Sequence, residues 1–415
     1  ECMKEIAISL DLNNKESILN IIRSTIGTKF ISRYGDLICN LALQAVMTVR
    51  ETDEDIKEIE DQATDTSEFD QKKSIIIDTK RFARVERIPG GQLEDSYVLD
   101  GIIVNKDVLH PKMRRFIKNP RIICLDIPME YNKGESQTNI EITKEEDFEK
   151  YLQVEEDYIR KFCNKLISLK PDVITTEKGC SDLAQHYLQK AGITVLRRMR
   201  KTDNTRLAKC SGATIGHRVD LLTEKDVGTK CGEYKVKQIA NETFSFFHKC
   251  KEPKACSIVL RGGSKDVLQE MDRNLQDAMC VTRNILLNPK ILPGGGATEM
   301  AVSVRLNELA DKIDGVMAYP YRAVAEALEI IPRTLIQNCG QQPIKVLTEL
   351  RAKHSTKEGK HFGVDGKTGD IVDMNKYGIW EPFVVKLQTI KTSIESASML
   401  LRIDDVVSGL RNKDE

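Results

Sequence analysis

The run Pro293-Gly294-Gly295-Gly296-Ala297-Thr298-Glu299-Met300 decides how the rest of the chain is read. Three consecutive glycines remove every Cβ that would hold the backbone away from a neighbour, and a helical pattern resumes at Ala297. The first amides of that helix can therefore face an anion such as a phosphate. A tight connection between two packed helices suits the same residues. The run follows a helix-like stretch, Ser264 to Leu287, that carries Asp277. A dinucleotide-binding turn is disfavoured, because such a turn follows a strand and an acid closes the βαβ unit behind it.

At 415 residues the chain exceeds one ordinary core, and two or three domains are expected. Lys plus Arg and Asp plus Glu balance at 63 each, so no net field draws nucleic acid or an acidic membrane, and neither is expected as a partner. Apolar stretches such as Ala323 to Ile331 are too short for a bilayer span and no secretory pattern opens the chain, which reads as cytoplasmic. Eleven cysteines without paired spacing fit a reducing compartment. Cys250 and Cys256 have no second Cys or His pair to complete a zinc tetrahedron, and the six histidines form no ligand or triad pattern, so no metal ligand is assigned.

Glu1 to Arg50 reads as helices, with apolar recurrence through Ile18, Ile21 and Ile22 and again through Leu37, Ile38, Leu41 and Ala45. Glu51 to Lys73 is acidic and polar, the composition of a solvated insertion. Strand-like runs follow at Ser74–Ile77, Ala83–Ile88 and Tyr97–Val104. From Arg121 to Lys254 strands and helices alternate: Arg121–Asp126, a long helix, Val173–Thr176, helix Ser181–Ala191, Thr194–Leu196 and helix Asn204–Lys209. The long helix opens on a capping box, Thr143 with Glu146, after a loose polar arm from Met129 to Ile142. Cys256–Arg261 is a strand, Ser264 caps the next helix, and from there to Ile403 the chain reads as helical apart from a hairpin at Gly363 to Gly369. Helical ends around strand-rich material suggest a nested path, out from a helical base and back.

In these segments the chain resembles a group II chaperonin. The resemblance is carried by Arg84-Val85-Glu86-Arg87-Ile88-Pro89-Gly90-Gly91, Lys133-Gly134-Glu135-Ser136-Gln137-Thr138, Arg200-Lys201-Thr202-Asp203-Asn204, Leu275-Gln276-Asp277-Ala278, the glycine run and Leu400-Leu401-Arg402-Ile403-Asp404-Asp405-Val406. It covers nearly the whole chain, the acidic insertion excepted. It implies a multidomain α+β fold: a discontinuous helical equatorial domain (1–17 and 288–415), a small α/β intermediate domain (18–101 with the insertion 51–73, and 255–287), and an α/β apical domain (102–254) with a helical lid protrusion at about 128–160. It also implies an ATPase. Asp277 corresponds to the acid that activates the attacking water. Gly295 and Gly296 correspond to the turn that approaches the nucleotide, Gly366 with Lys367 to a contact near base and ribose, and Glu381 and Lys386 to further nucleotide contacts. Lys29 corresponds to a loop lysine that senses the terminal phosphate.

The implied activity is ATP-driven folding of non-native cytosolic clients, such as actin and tubulin, in a closed hetero-oligomeric double ring of paralogous subunits. ATP or ADP and Mg²⁺ are the expected ligands. Two departures stand against the pattern. The family's Gly-Asp-Gly-Thr-Thr phosphate loop, whose Asp binds Mg²⁺, is absent from these residues and is expected in a preceding segment of a longer polypeptide; Lys367 stands where related chains often have an acid. A non-catalytic, client-binding module lacking the phosphate loop is the alternative. The stretch Lys201 to Cys210 is polar and basic, so client contact through it is expected to be electrostatic.

Overall fold

The structure is a computed structural model; it describes residues 2–12, 14–27, 34–51, 76–131 and 145–405, with the side chains of residues 145–152, 155, 357 and 358 excepted. Most of the acidic insertion, Lys29, the lid-arm residues from 132 and the Thr143 cap lie outside the described residues. The chain divides into two compact units, Glu1–Asp36 with Cys280–Glu415, and Leu37–Met279. In the first unit Ile21, on the helix Lys15–Ile26, joins Ile285 and Ile291 in one core.

In the first unit, Asn14 starts the helix Lys15–Ile26 by accepting hydrogen bonds from the amides of Glu16 and Ser17 at 3.1 and 3.3 Å. Ile18, Ile21, Ile22 and Ile26 form its buried face at helical spacing. The helices Ala297–Ala310, Ala318–Asn338 and Pro343–His354 pack around Met300, Ile336, Leu347, Leu350 and Val364. The reading of near-continuous helix after Ser264 is corrected here. Strands Lys290–Pro293 and Trp380–Pro382 pair antiparallel, Leu292 opposite Glu381, and Ile8–Ser9 pairs on the other side. The glycine run accordingly follows a strand rather than a helix. Because that strand is antiparallel to both neighbours, the dinucleotide-binding unit, which needs a parallel crossover, stays excluded.

Among its described residues the second unit carries three sheets. Cys256–Gly262 lies between Ala83–Pro89, parallel, and Tyr97–Leu99, antiparallel. A parallel four-stranded sheet runs Thr194–Leu196, Val173–Thr176, Ile122–Leu125, Ile215–Gly216. Three of its strands, Ile122–Leu125, Val173–Thr176 and Thr194–Leu196, are fully buried, as expected where helices cover a parallel sheet. The helices Glu145–Ser168 and Asp182–Lys190 contribute Ile159, Cys163, Leu166, Ala184 and Leu188 to one of its cores. An antiparallel sheet runs Ile102–Val104, Glu242–His248, Glu233–Ile239, Phe116–Lys118. The single strand read over Tyr97–Val104 is therefore two strands in different sheets. Gly101 breaks it, at φ +149°, where a Cβ would sit 2.0 Å from the Phe247 carbonyl oxygen. The helix read as Asn204–Lys209 extends over Lys201–Ser211, ending on Gly212 in the left-handed region.

Candidate nucleotide site in the first unit

The glycine turn is held by its own backbone. The Gly294 amide donates to the Ile379 carbonyl at 3.0 Å, the Val364 amide donates to the Gly295 carbonyl at 2.9 Å, and the Thr298 hydroxyl donates to the Pro293 carbonyl at 2.8 Å. Gly295 and Gly296 have φ of +62° and +76°, conformations that L side chains rarely adopt. A Cβ on Gly295 would lie 2.5 Å from the Met374 methyl and 2.9 Å from the Val364 oxygen; one on Gly296 would lie 3.0 Å from Pro332. These glycines are thus required first by protein packing, the turn passing between the helix Ala318–Asn338 and the hairpin Phe362–Val364/Ile371–Asp373. Within the run from Ile291 to Met300 Gly295 alone is partly exposed, so it is the position open to a ligand.

The hairpin loop is organised by Asp365, a buried residue the sequence reading did not single out. It accepts hydrogen bonds from the Lys367 amide and from the Thr368 and Tyr377 hydroxyls, each at 3.1 Å. The Lys367 amide first, and then the two hydroxyls, hold its carboxyl below the usual carboxylate range. The loop it folds presents Gly366, Lys367 and Thr368 to solvent, and nothing lies within 4 Å of a Cβ at Gly366. Tyr377 and Trp380 also line a cleft of about 670 Å³ against Asn20, Ile21 and Ser24.

Lys386 stands between two acids. It pairs with Glu299, whose side chain is 2% exposed, and lies 2.5 Å from Glu381 Oε2. Burial pushes the Glu381 carboxyl up, against the Lys386 ammonium. Burial alone would depress Lys386, but Glu299 and Glu381 outweigh it and the net direction is upward. Glu299 was quoted in the glycine run without a role; an acid in a first helical turn reads as a complement to the helix dipole, and only the fold reveals its partner.

Of the sequence-assigned residues, the first unit holds Gly295, Gly296, Gly366, Lys367, Glu381 and Lys386. Asp277 is exposed on the helix Lys265–Leu287, within the second unit. Among the described residues no group of three or more His, Cys, Asp or Glu could hold a metal ion. The eleven cysteines are free thiols, and no described helix is long and apolar enough to cross a membrane.

Residues 1–410 match the TCP-1/cpn60 chaperonin family, and the chain belongs to it. The chain is 56% identical to T-complex protein 1 subunit gamma of Schizosaccharomyces pombe over 412 residues, 99% of this chain and 74% of that protein. It is 55% identical to the Homo sapiens protein of the same name over 413 residues, 100% and 72% of the two chains. The open-state monomer of a group II chaperonin from Methanococcoides burtonii superposes with a TM-score of 0.70 at 29% identity, covering 97% of this chain and 89% of that one. The group II resemblance and the multidomain α+β chaperonin fold are thereby established, and the likeness narrows to the gamma type.

Proposed function

We propose that the chain is an ATP-hydrolysing chaperonin subunit that works with paralogous subunits in a cytoplasmic hetero-oligomeric double ring, where domain closure encloses non-native clients such as actin and tubulin. One observation carries the nucleotide reading. Gly295, the exposed Gly366 loop and half-exposed Glu381 belong to segments tied to one another, through the Val364–Gly295 hydrogen bond and the pairing of Leu292 with Glu381. In this reading Gly295 and Gly296 approach the nucleotide, Gly366 and Lys367 lie by base and ribose, and Lys29 senses the terminal phosphate. Asp277 orients the attacking water, brought to it by the hinge of an intermediate domain. Mg²⁺ accompanies the nucleotide; the described residues supply no ligand set for it, so no step is assigned to it.

In this reading client contact falls at the exposed start of the stretch Lys201 to Cys210, on the helix Lys201–Ser211. Arg197, Arg198, Arg200 and Lys201 are exposed at its start and make no ion pair among the described residues, which suits acidic client segments. The test of the ATPase is Asp277→Ala in the assembled subunit. Hydrolysis at that site is expected to fall by at least about a hundredfold with nucleotide binding retained; unchanged turnover from that site refutes the assignment. Failure of the unsubstituted subunit to bind ATP would support the non-catalytic alternative.

A further inference from the structure

The second unit has a cleft of about 420 Å³ where three elements meet: the end of the strand Ala83–Pro89, the turn of the hairpin Glu233–Ile239/Glu242–His248, and the start of the helix Lys265–Leu287. Clefts of this size, apolar with a few converging polar groups, take small organic molecules. The floor is apolar and already packed. Ile88 and Phe244 belong to one core with Val259, Ile239 packs against that core, and Leu268 is buried. Little ordering therefore opposes the arrival of a ligand.

The rim is cationic, with its two charges on different elements. Arg87 is exposed on the strand, and its ion pair with Asp272 is 3.8 Å long, beyond hydrogen-bond reach, so its N–H groups remain available to another acceptor. Lys265 is exposed at the start of the helix and has no ion pair among the described residues. The carboxylate in the lining, Glu242, is engaged by the Asn105 side-chain amide at 2.9 Å. An anion thus complements this rim. An extended peptide suits it less well: the strand Ala83–Pro89 lies at the edge of its sheet, but Pro89 ends it beside the cleft with no N–H to offer a further strand.

We propose that this cleft binds a small organic carboxylate with an aromatic or branched apolar body, the body lying on Ile88, Phe244 and Leu268 and the carboxylate meeting Arg87 and Lys265. Because the lining comes from the hairpin of the antiparallel sheet and from the helix that follows Cys256–Gly262, the occupant touches both and ties the two sheets together.

The test is photolabelling of the full chain, in its native assembly, by a benzophenone carboxylate, with the matching benzophenone carboxamide as the uncharged control and insertion sites mapped by peptide mass spectrometry. Insertion is expected within 87–89, 239–244 and 265–269, half-saturating at about tenfold lower concentration for the carboxylate than for the carboxamide, the worth of one charge-assisted hydrogen bond. Arg87→Gln with Lys265→Gln changes two exposed side chains and leaves the floor intact. It should abolish the tenfold difference while labelling by the carboxamide persists. Gln269→Trp, at an exposed position in the lining, should obstruct the cleft and reduce labelling by both probes. An excess of an alternating Asp/Leu peptide should leave the labelling unchanged, and displacement of the probe by that peptide overturns the choice of a small molecule. Equal labelling by the two probes, insertion spread over exposed apolar residues outside the cleft, or a double variant that keeps the tenfold difference overturns the site.

Discussion

At the residue scale, the glycines around the candidate site are not equivalent, and their differences are measurable. Gly295 sits at positive φ with Met374 and the Val364 carbonyl where a Cβ would go, whereas Gly366 has ordinary φ and open space. Gly295→Ala combines backbone strain with a clash against Met374 and the Val364 carbonyl, and should destabilise the first unit by about 2–4 kcal/mol. Gly366→Ala should change stability by no more than about 0.5 kcal/mol. Thermal melts of the two variants check the contrast; equal shifts would mean that the turn is held by something other than its fit against Met374 and the hairpin. The glycine run was legible because glycine repetition is rare in a helical context. Asp365 was not, since its value lies in the three donors that the loop folds around it.

At the element scale, legibility followed length. The helix Asp182–Lys190 behind its Ser181 cap, and the strand Val173–Thr176 with its four β-branched residues, show in local pattern. The strands Ile8–Ser9, Lys290–Pro293 and Trp380–Pro382 do not. Two to four residues are too few for an alternation, and their pairing joins chain segments far apart in sequence. The hairpin Glu233–Ile239/Glu242–His248 offers a prediction of its own. Its two-residue loop puts Ala240 at φ +54°, a position where glycine is preferred. Ala240→Gly should stabilise the second unit by up to about 1 kcal/mol, the left-handed penalty removed less the added freedom of the unfolded chain. A lowered melting temperature would show instead that the Ala240 methyl packs.

At the scale of the whole molecule, the two units differ in how the chain builds them. The second is one uninterrupted stretch, Leu37–Met279, with separate cores around Ile123, Leu125 and Ile174, around Ile122, Leu196 and Phe247, and around Ile88, Phe244 and Val259. The first is assembled from both ends: Met3 and Ile6 pack with Leu292 and Phe383, and Ile21 packs with Ile285 and Ile291. Each such side chain stabilises by about 1.5–3 kcal/mol when buried, so three of them together rival the net stability of about 5–15 kcal/mol that a domain possesses. Leu37–Met279 made alone should therefore melt cooperatively, with the near-ultraviolet circular dichroism of packed aromatic residues. Cys280–Glu415 made alone should not, and should gain a cooperative transition only when Glu1–Asp36 is supplied as a separate peptide. The nested path was legible as helical ends around a strand-rich middle, but which side chains join the ends was not, because that depends on a return crossing of the whole second unit. A sharp, peptide-independent melt of Cys280–Glu415 would show that the helices Ala297–Ala310 to Pro343–His354 suffice by themselves, and would remove the first thirty-six residues from the body that carries Gly295 and Glu381.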